Sequence, residues 1–476
     1  MVTRWSAAST RPVFAFFEVL LATLIFSAGA IWNQFPLVYF DTAQHLPGLS
    51  RLPAMRAGGY NVFVSGAGFF GQPLWGTIVL QNAALAFLLR EILVRSGIRS
   101  WTAYLGGCAF ASFGLGAMWA QGQILPDATT AILIVSTILL LEPDVRRPPI
   151  VSVILWASFS LASSTHYSHP LIVTLGIPLT FLIWKKTEAA FRLRPAIAVL
   201  VVAWAMMGIS EVTLRGEQKS EPSWHPFALA RMYETGTLGR LLREHCAGTD
   251  YLFCNLPLLR FPPEKNPVNP NPDVSPPAGW FLWGEQNPMK VAGNVNRPEY
   301  RRMIVDVLRY YPWEFFLRNL APVFRLPVSF TLGEGLKSYK GTFVDREIGR
   351  WFPEDHEAFL RARQQTEGLP FLFLRRVQWV AIVCFAVVFV LCVSVGVVHE
   401  LPGLARHFWG VAVLALANGF VCGFLSGVDP RYQFRVYWIA PLFTVAGFLA
   451  WLGTQRRARV RSPWYISRVA IPEKSP

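Results

Sequence analysis

Apolar runs about as long as a bilayer is thick recur along this chain, and no other feature constrains its fold as strongly. A membrane-spanning helix needs roughly 20 apolar residues. Ten stretches meet or approach that length, near 13–32, 72–89, 101–120, 127–142, 150–164, 169–184, 196–213, 377–397, 407–426 and 436–453. Apolar residues make up 53% of 476 positions, more than a soluble fold of this size could bury. The first run lacks a small-residue cleavage site followed by a soluble domain, so it is read as a retained span. The expectation is an all-α polytopic membrane protein with about ten transmembrane helices.

A net charge of +15 would suggest nucleic acid in a soluble protein, but here the excess sits mostly in short loops between apolar runs. Basic residues in such loops orient a membrane protein, so no nucleic-acid partner is expected. A cytoplasmic N terminus places Arg4 and Arg11, then Arg90, Arg95 and Arg99, then Arg146 and Arg147, inside. Lys185, Lys186, Arg192, Arg194, Arg406, Arg456, Arg457, Arg459 and Arg461 follow on the same side. The outer side then receives the 33–71 loop, short turns at 121–126 and 165–168, a long insertion at 214–376 and the 427–435 loop. The chain divides into an N-terminal bundle, 1–213, an extracytoplasmic insertion, 214–376, and a C-terminal part, 377–476, with a basic cytoplasmic tail.

The insertion is rich in Pro, Trp and charge. FPPEKNPVNPNPDVSPP, near 261–277, reads as an extended connection, while ALARMYETGTLGRLLREHC and EYRRMIVDVLRYYPWEFFLRNLAPVF have helical spacing. Cys246 and Cys254 flank AGTDYLF at a spacing that closes a small disulfide loop in an oxidising compartment; free buried thiols are the alternative. Trp280 and Trp283 are either sugar-stacking platforms or ordinary membrane-facing tryptophans. No CxxC, HExxH or Walker A pattern occurs.

Four arginines depart from the positive-inside pattern: Arg51, Arg56, Arg431 and Arg435. They either touch lipid headgroups and pair with Asp41 and Asp429, or share a phosphate, which guanidinium groups grip bidentately. Asp41 follows the first span in PLVYFDTAQHLPGLSRLPAMRAGGYNVF, where it either caps a helix or acts as a general base near the low-dielectric boundary. Asp127 precedes the fourth span on the same side; capping competes with completing an acidic pair or holding a divalent cation. His166 and His169 in SSTHYSHP stand three apart, a spacing open to two metal ligands or to hydrogen bonding at the interface.

This arrangement resembles the GT-C superfamily of membrane glycosyltransferases, bacterial type, which use polyprenyl-phosphate sugars and act on the outer side. The likeness rests on the architecture, on Asp41 followed by Arg51, Arg56 and RAGGYNVF, and on GVDPRYQFRVYWIAPL at 427–442. It implies that Asp41 is the catalytic base toward an acceptor hydroxyl, joined by Asp127, with Arg56, Arg431, Arg435 and Tyr432 binding the donor phosphate. His45, Tyr60, His166 and His169 are further candidates for binding substrate. The partners implied are a polyprenyl-phosphate-linked sugar, a lipid, glycan or protein acceptor, and membrane lipids. The chain departs from the family's paired acids, since Phe40 and Thr42 flank Asp41, and metal participation is left open. The rival readings are a transporter or flippase, whose charges would line the spans, and a non-catalytic envelope protein with a partner-binding insertion.

Overall fold

The computed structural model describes residues 12–50, 56–142, 147–186, 193–213, 224–256, 277–283, 288 and 298–460. Arg4, Arg11, Arg51, Arg146, Arg192, Arg461 and all but the last residue of the proline-rich 261–277 stretch lie outside these residues. The described chain is helical. Its only extended pairing is an isolated bridge between Leu37 and Gln123, with Leu37 N donating to Gly122 O at 2.9 Å and Ile124 N to Leu37 O at 3.0 Å.

Seven described stretches are long and apolar enough to cross a membrane. They are the helices Pro12–Asn33, Pro73–Arg95, Ser168–Lys186, Leu193–Thr213, Phe371–Ser394 and Pro402–Leu425, and a stretch from Pro430 to Arg456 that contains the Ile439–Val460 helix. Two shorter apolar helices, Pro126–Leu141 and Pro149–Thr165, stand where further spans were expected. Proline opens several of these helices, at a first-turn position whose N–H has no intrahelical acceptor anyway.

The continuous span expected at 101–120 is broken. Trp101–Ala109 is α-helical, Phe110–Gly114 forms a π turn, and Ala117–Gln121 resumes after Gly116. Gly116 sits at φ +82°, a backbone conformation that calls for glycine, and a Cβ there would stand 2.3 Å from the Leu332 side-chain tip. Leu332, more than 200 positions away, packs against this turn, a contact invisible in a hydropathy window.

Helix starts and ends sort the molecule into two poles. At one, the buried Glu142 carboxylate receives Arg406 at 2.6 Å and Arg95 at 3.3 Å, with His407 Nε2 also at 3.3 Å. Arg90 pairs with Glu18 nearby at 2.5 Å. The basic residues read as topology markers are thus also clamps between helix ends. The opposite pole carries Asp41, Asp127, His166 and Arg431. An apolar core including Leu89, Ile138, Trp184 and Trp438 lies between.

Most of the insertion's helices pack in two groups. Helices His225–Glu234, Thr237–His245, Pro277–Trp283 and Pro298–Tyr310 enclose their own core around Tyr233, Phe253, Phe281 and Tyr300, and a disulfide joins Cys246 to Cys254. Helices Phe343–Trp351 and Pro353–Arg361 instead join the 33–71 loop, burying Val344, Ile348 and Phe359 with Phe35, Val38 and Tyr60. Gln364 fixes that junction: its side chain donates to Val38 O at 2.7 Å and accepts from Val38 N at 3.1 Å, and its N–H donates to Asn33 Oδ1 at 2.7 Å.

Candidate functional site

Asp41 sits on a 3-10 turn, Phe40–Gln44, directly beyond the first span. Of its two expected roles, capping is not the one it takes, because Tyr39 holds the N-cap position. Instead Arg56 Nη2 donates to Oδ1 at 2.7 Å and Arg431 Nη1 donates to Oδ2 at 3.3 Å, with the carboxylate side chain only 12% exposed. Burial pushes the carboxyl's proton affinity up, and the Arg56 and Arg431 guanidiniums outweigh it, holding Asp41 below the usual carboxylate range.

Asp127 does not cap its helix either. It stands in the Pro126–Ala128 turn, Ala128 is the N-cap of Thr129–Leu141, and the carboxylate accepts from Arg435. The capping aspartate at this pole is Asp429, which accepts from Arg431 N at 2.9 Å to start the short Pro430–Phe434 helix. Arg431 in that helix and Arg435 at its C-cap stand one turn apart, so Arg431 reaches Asp41 and Asp127 while Arg435 reaches Asp127.

Arg431 is the hub. Besides Asp41, its Nε lies 4.0 Å from Asp127 Oδ2 and 3.8 Å from Asp429 Oδ2, and donates no hydrogen bond among the described residues. The guanidinium carbon stands 4.2 Å from the Tyr39 ring centre and 5.0 Å from that of Tyr432, whose hydroxyl is 3.3 Å from Nη2. Arg435 is more deeply buried: 1% exposed, it commits its two terminal nitrogens to Asp127, Asn418 Oδ1 at 2.7 Å, Cys422 Sγ at 3.3 Å and Ser168 Oγ at 3.4 Å, and its Nε, like that of Arg431, donates no hydrogen bond among the described residues. It buttresses Asp127 from a buried position, with both terminal nitrogens engaged. Arg56 also lies 5.0 Å from the ring centre of Phe227, which brings the insertion to the site.

His45 is buried beside this cluster, edge-on to Tyr60 with ring centres 5.3 Å apart. Asn61 Nδ2 donates to Gly48 O at 3.0 Å and Gln44 O at 3.3 Å, so its oxygen faces His45 Nδ1 at 2.8 Å. Nδ1 therefore carries the proton, and Nε2 presents a lone pair with no partner among the described residues. Burial pushes the imidazole down to about 4, so it is neutral near pH 7. Tyr60 is fully buried, its hydroxyl donating to Gln81 Oε1 at 3.2 Å, and serves the wall of the site rather than its mouth. A small crevice lined by Phe63, Gln81, Thr129, Ile132 and Leu161 lies behind it.

The two remaining histidines are engaged. His169 has Nε2 at 2.9 Å from Thr130 Oγ1 and Nδ1 at 2.5 Å from Ala162 O, while His166 Nδ1 is 2.7 Å from Ser168 Oγ. Asp41 and Asp127 face arginines rather than a shared cation position, and no group of three or more His, Cys, Asp or Glu among the described residues could hold a metal. Trp280 packs against Tyr233 at 5% exposure and is a core residue, not a sugar platform. The Trp283 side chain lies outside what is described.

Sequence reasoning missed Tyr39, Asn61, Gln364 and Asn418. Tyr39 stands two positions before Asp41 in the same run, and Asn418 is an amide inside an apolar span, a placement that itself signals a role. Asn61 and Gln364 carried no such signal. Comparisons with protein-family models, with curated proteins and with solved structures found no match for this chain.

Proposed function

We propose that this chain is an integral membrane glycosyltransferase of the bacterial inner membrane. It moves a sugar from a polyprenyl-phosphate donor to an envelope acceptor at the pole that carries Asp41. The observation that carries this reading is the convergence on one carboxylate of two arginines, Arg56 and Arg431, from loops 375 positions apart, beside apolar helices. Cleaving a sugar from a phosphate leaving group needs cations for the developing charge and a base for the acceptor hydroxyl.

Arg431 supplies an uncommitted donor for a phosphate oxygen, with Arg56 and Tyr432 beside it. A phosphate drawn to Arg431 competes with Asp41 for that guanidinium. As it takes hold, Asp41 loses one of the partners that keep it unprotonated, and its proton affinity rises toward what a base requires. Arg435 and Asp127 hold the hub in place from behind. Charged pairs gather toward the two poles rather than along the middle of the helices, which weighs against a transport path through the bundle.

Membranes containing the chain, supplied with radiolabelled polyprenyl-phosphate sugars, test this directly. Asp41→Asn is expected to abolish transfer by about a hundredfold or more while the protein accumulates and melts normally. Undiminished transfer by that variant would remove Asp41 from the chemistry.

A further inference from the structure

The Pro312–Arg325 helix belongs to the polar insertion by sequence, yet its neighbours lie inside a span. At its crossing with the Pro402–Leu425 helix, a Cβ on Gly423 would stand 2.8 Å from Pro322 O and 3.0 Å from Val323 Cα. Four residues earlier on the same face, a Cβ on Gly419 would meet Pro327 Cγ at 2.9 Å. Both glycines lie within the apolar stretch Gly403–Leu425. A pair of glycines at this spacing lets another backbone approach closely, as at helix crossings within membranes.

The crossing also fixes a depth. Phe315 and Phe316 meet Phe424 at ring distances of 5.6 and 6.4 Å, Phe324 meets Phe420 at 6.0 Å, and Pro327 meets Gly419. Moving from Phe315 to Pro327 advances about 18 Å along one helix and only about 7.5 Å down the other, at 1.5 Å per residue. The insertion helix therefore slants across the last turns of the span, at the Asp41 pole.

Its outward face is apolar. Trp313, Leu317, Phe324 and Val328 are 74, 60, 65 and 74% exposed, and their spacing of four, seven and four places them on one stripe. On the flank, Arg318 donates to Thr235 O at 2.9 Å and pairs with Glu314 at 2.8 Å, turned toward the polar helices of the insertion. The stripe joins the span surface at Phe324, which packs on Phe420 inside the apolar Gly403–Leu425 stretch.

We propose that residues 312–328 lie in the lipid leaflet at the Asp41 pole, as an interfacial helix with Trp313, Leu317, Phe324 and Val328 among the acyl chains. The insertion is then partly a membrane element. An apolar stripe with polar flanks, lying in the interface plane, is the pattern of such helices, and continuity with a span surface selects lipid as the occupant.

The test is tryptophan quenching in the full chain reconstituted into phosphatidylcholine nanodiscs. The emission lost in Trp313→Phe defines the Trp313 share, the other 17 tryptophans cancelling in the difference. Lipid brominated near the headgroup end of its acyl chains is expected to remove most of that share. Insensitivity to brominated lipid with quenching by aqueous iodide would overturn the proposal. So would protection from both quenchers with two chains per disc, because a second copy would then cover the stripe. If Trp313→Phe does not fold, Val328→Trp adds an emission on the same stripe and is read by the same criteria.

Discussion

At the residue scale, what distinguishes the Asp41 pole is how few of its charges are shared evenly. Asp41 uses both oxygens on arginines, Arg435 is buried with its terminal nitrogens on Asp127 and Asn418, and Arg431 is stretched among Asp41, Asp127 and Asp429. A group poised between three carboxylates is the one an incoming anion redistributes at least cost. His45 gives this region a measurable acid sensitivity. Its folded-state pKa, about 4, lies below its ordinary value of 6.5, so the unfolded chain binds the extra proton between those pH values. Stability is therefore full above about pH 6.5 and falls as pH drops toward 4, by up to about 1.4 kcal/mol per pH unit from this residue. Thermal melting in detergent across that window should show a steeper decline for the wild type than for His45→Gln. Equal slopes would mean that the imidazole does not titrate this way.

Among elements, glycine sets the close approaches. Gly423 touches the backbone of Pro322 and Val323, and no flexible side chain stands there to yield. Gly423→Val should lower stability by about 1–3 kcal/mol through overpacking, seen as a lower melting temperature in micelles. Gly208, in the middle of Leu193–Thr213 with nothing within 4 Å of a Cβ, is the control. Gly208→Ala should leave melting unchanged or raise it, because alanine is the better helix former. At the break in the 101–121 segment glycine serves differently, since Gly116 holds a φ of +82° that an L side chain rarely adopts.

For the whole molecule, the two poles carry different chemistry. One is tied by Arg90, Arg95 and Arg406 to carboxylates, and the other is covered by the 343–366 helices through Gln364. The sidedness expected from the basic loops makes this testable in intact cells. A cysteine at the exposed Lys340 should react with a membrane-impermeant maleimide, and one at Arg99 only after permeabilisation. The reverse pattern would invert the topology and place the Asp41 pole in the cytoplasm.

The sequence by itself determined that the chain is helical and membrane-embedded, where most of its long helices lie, and which charged residues stood out. Apolar run length and loop charge are local quantities, and hydrocarbon thickness converts them directly into helices. Only the tertiary structure decided that Asp41, Asp127, Arg56, Arg431 and Arg435 share one pole, and that Arg435 supports Asp127. It also decided between the alternatives for Asp41 and Asp127 by leaving neither as a cap, broke the third expected span, and set the Pro312–Arg325 helix against a transmembrane helix. Each of these depends on contacts between positions tens to hundreds apart. The partner that claims a carboxylate, or the atom that fills the space beside a glycine, is chosen by packing and leaves no trace in local spacing.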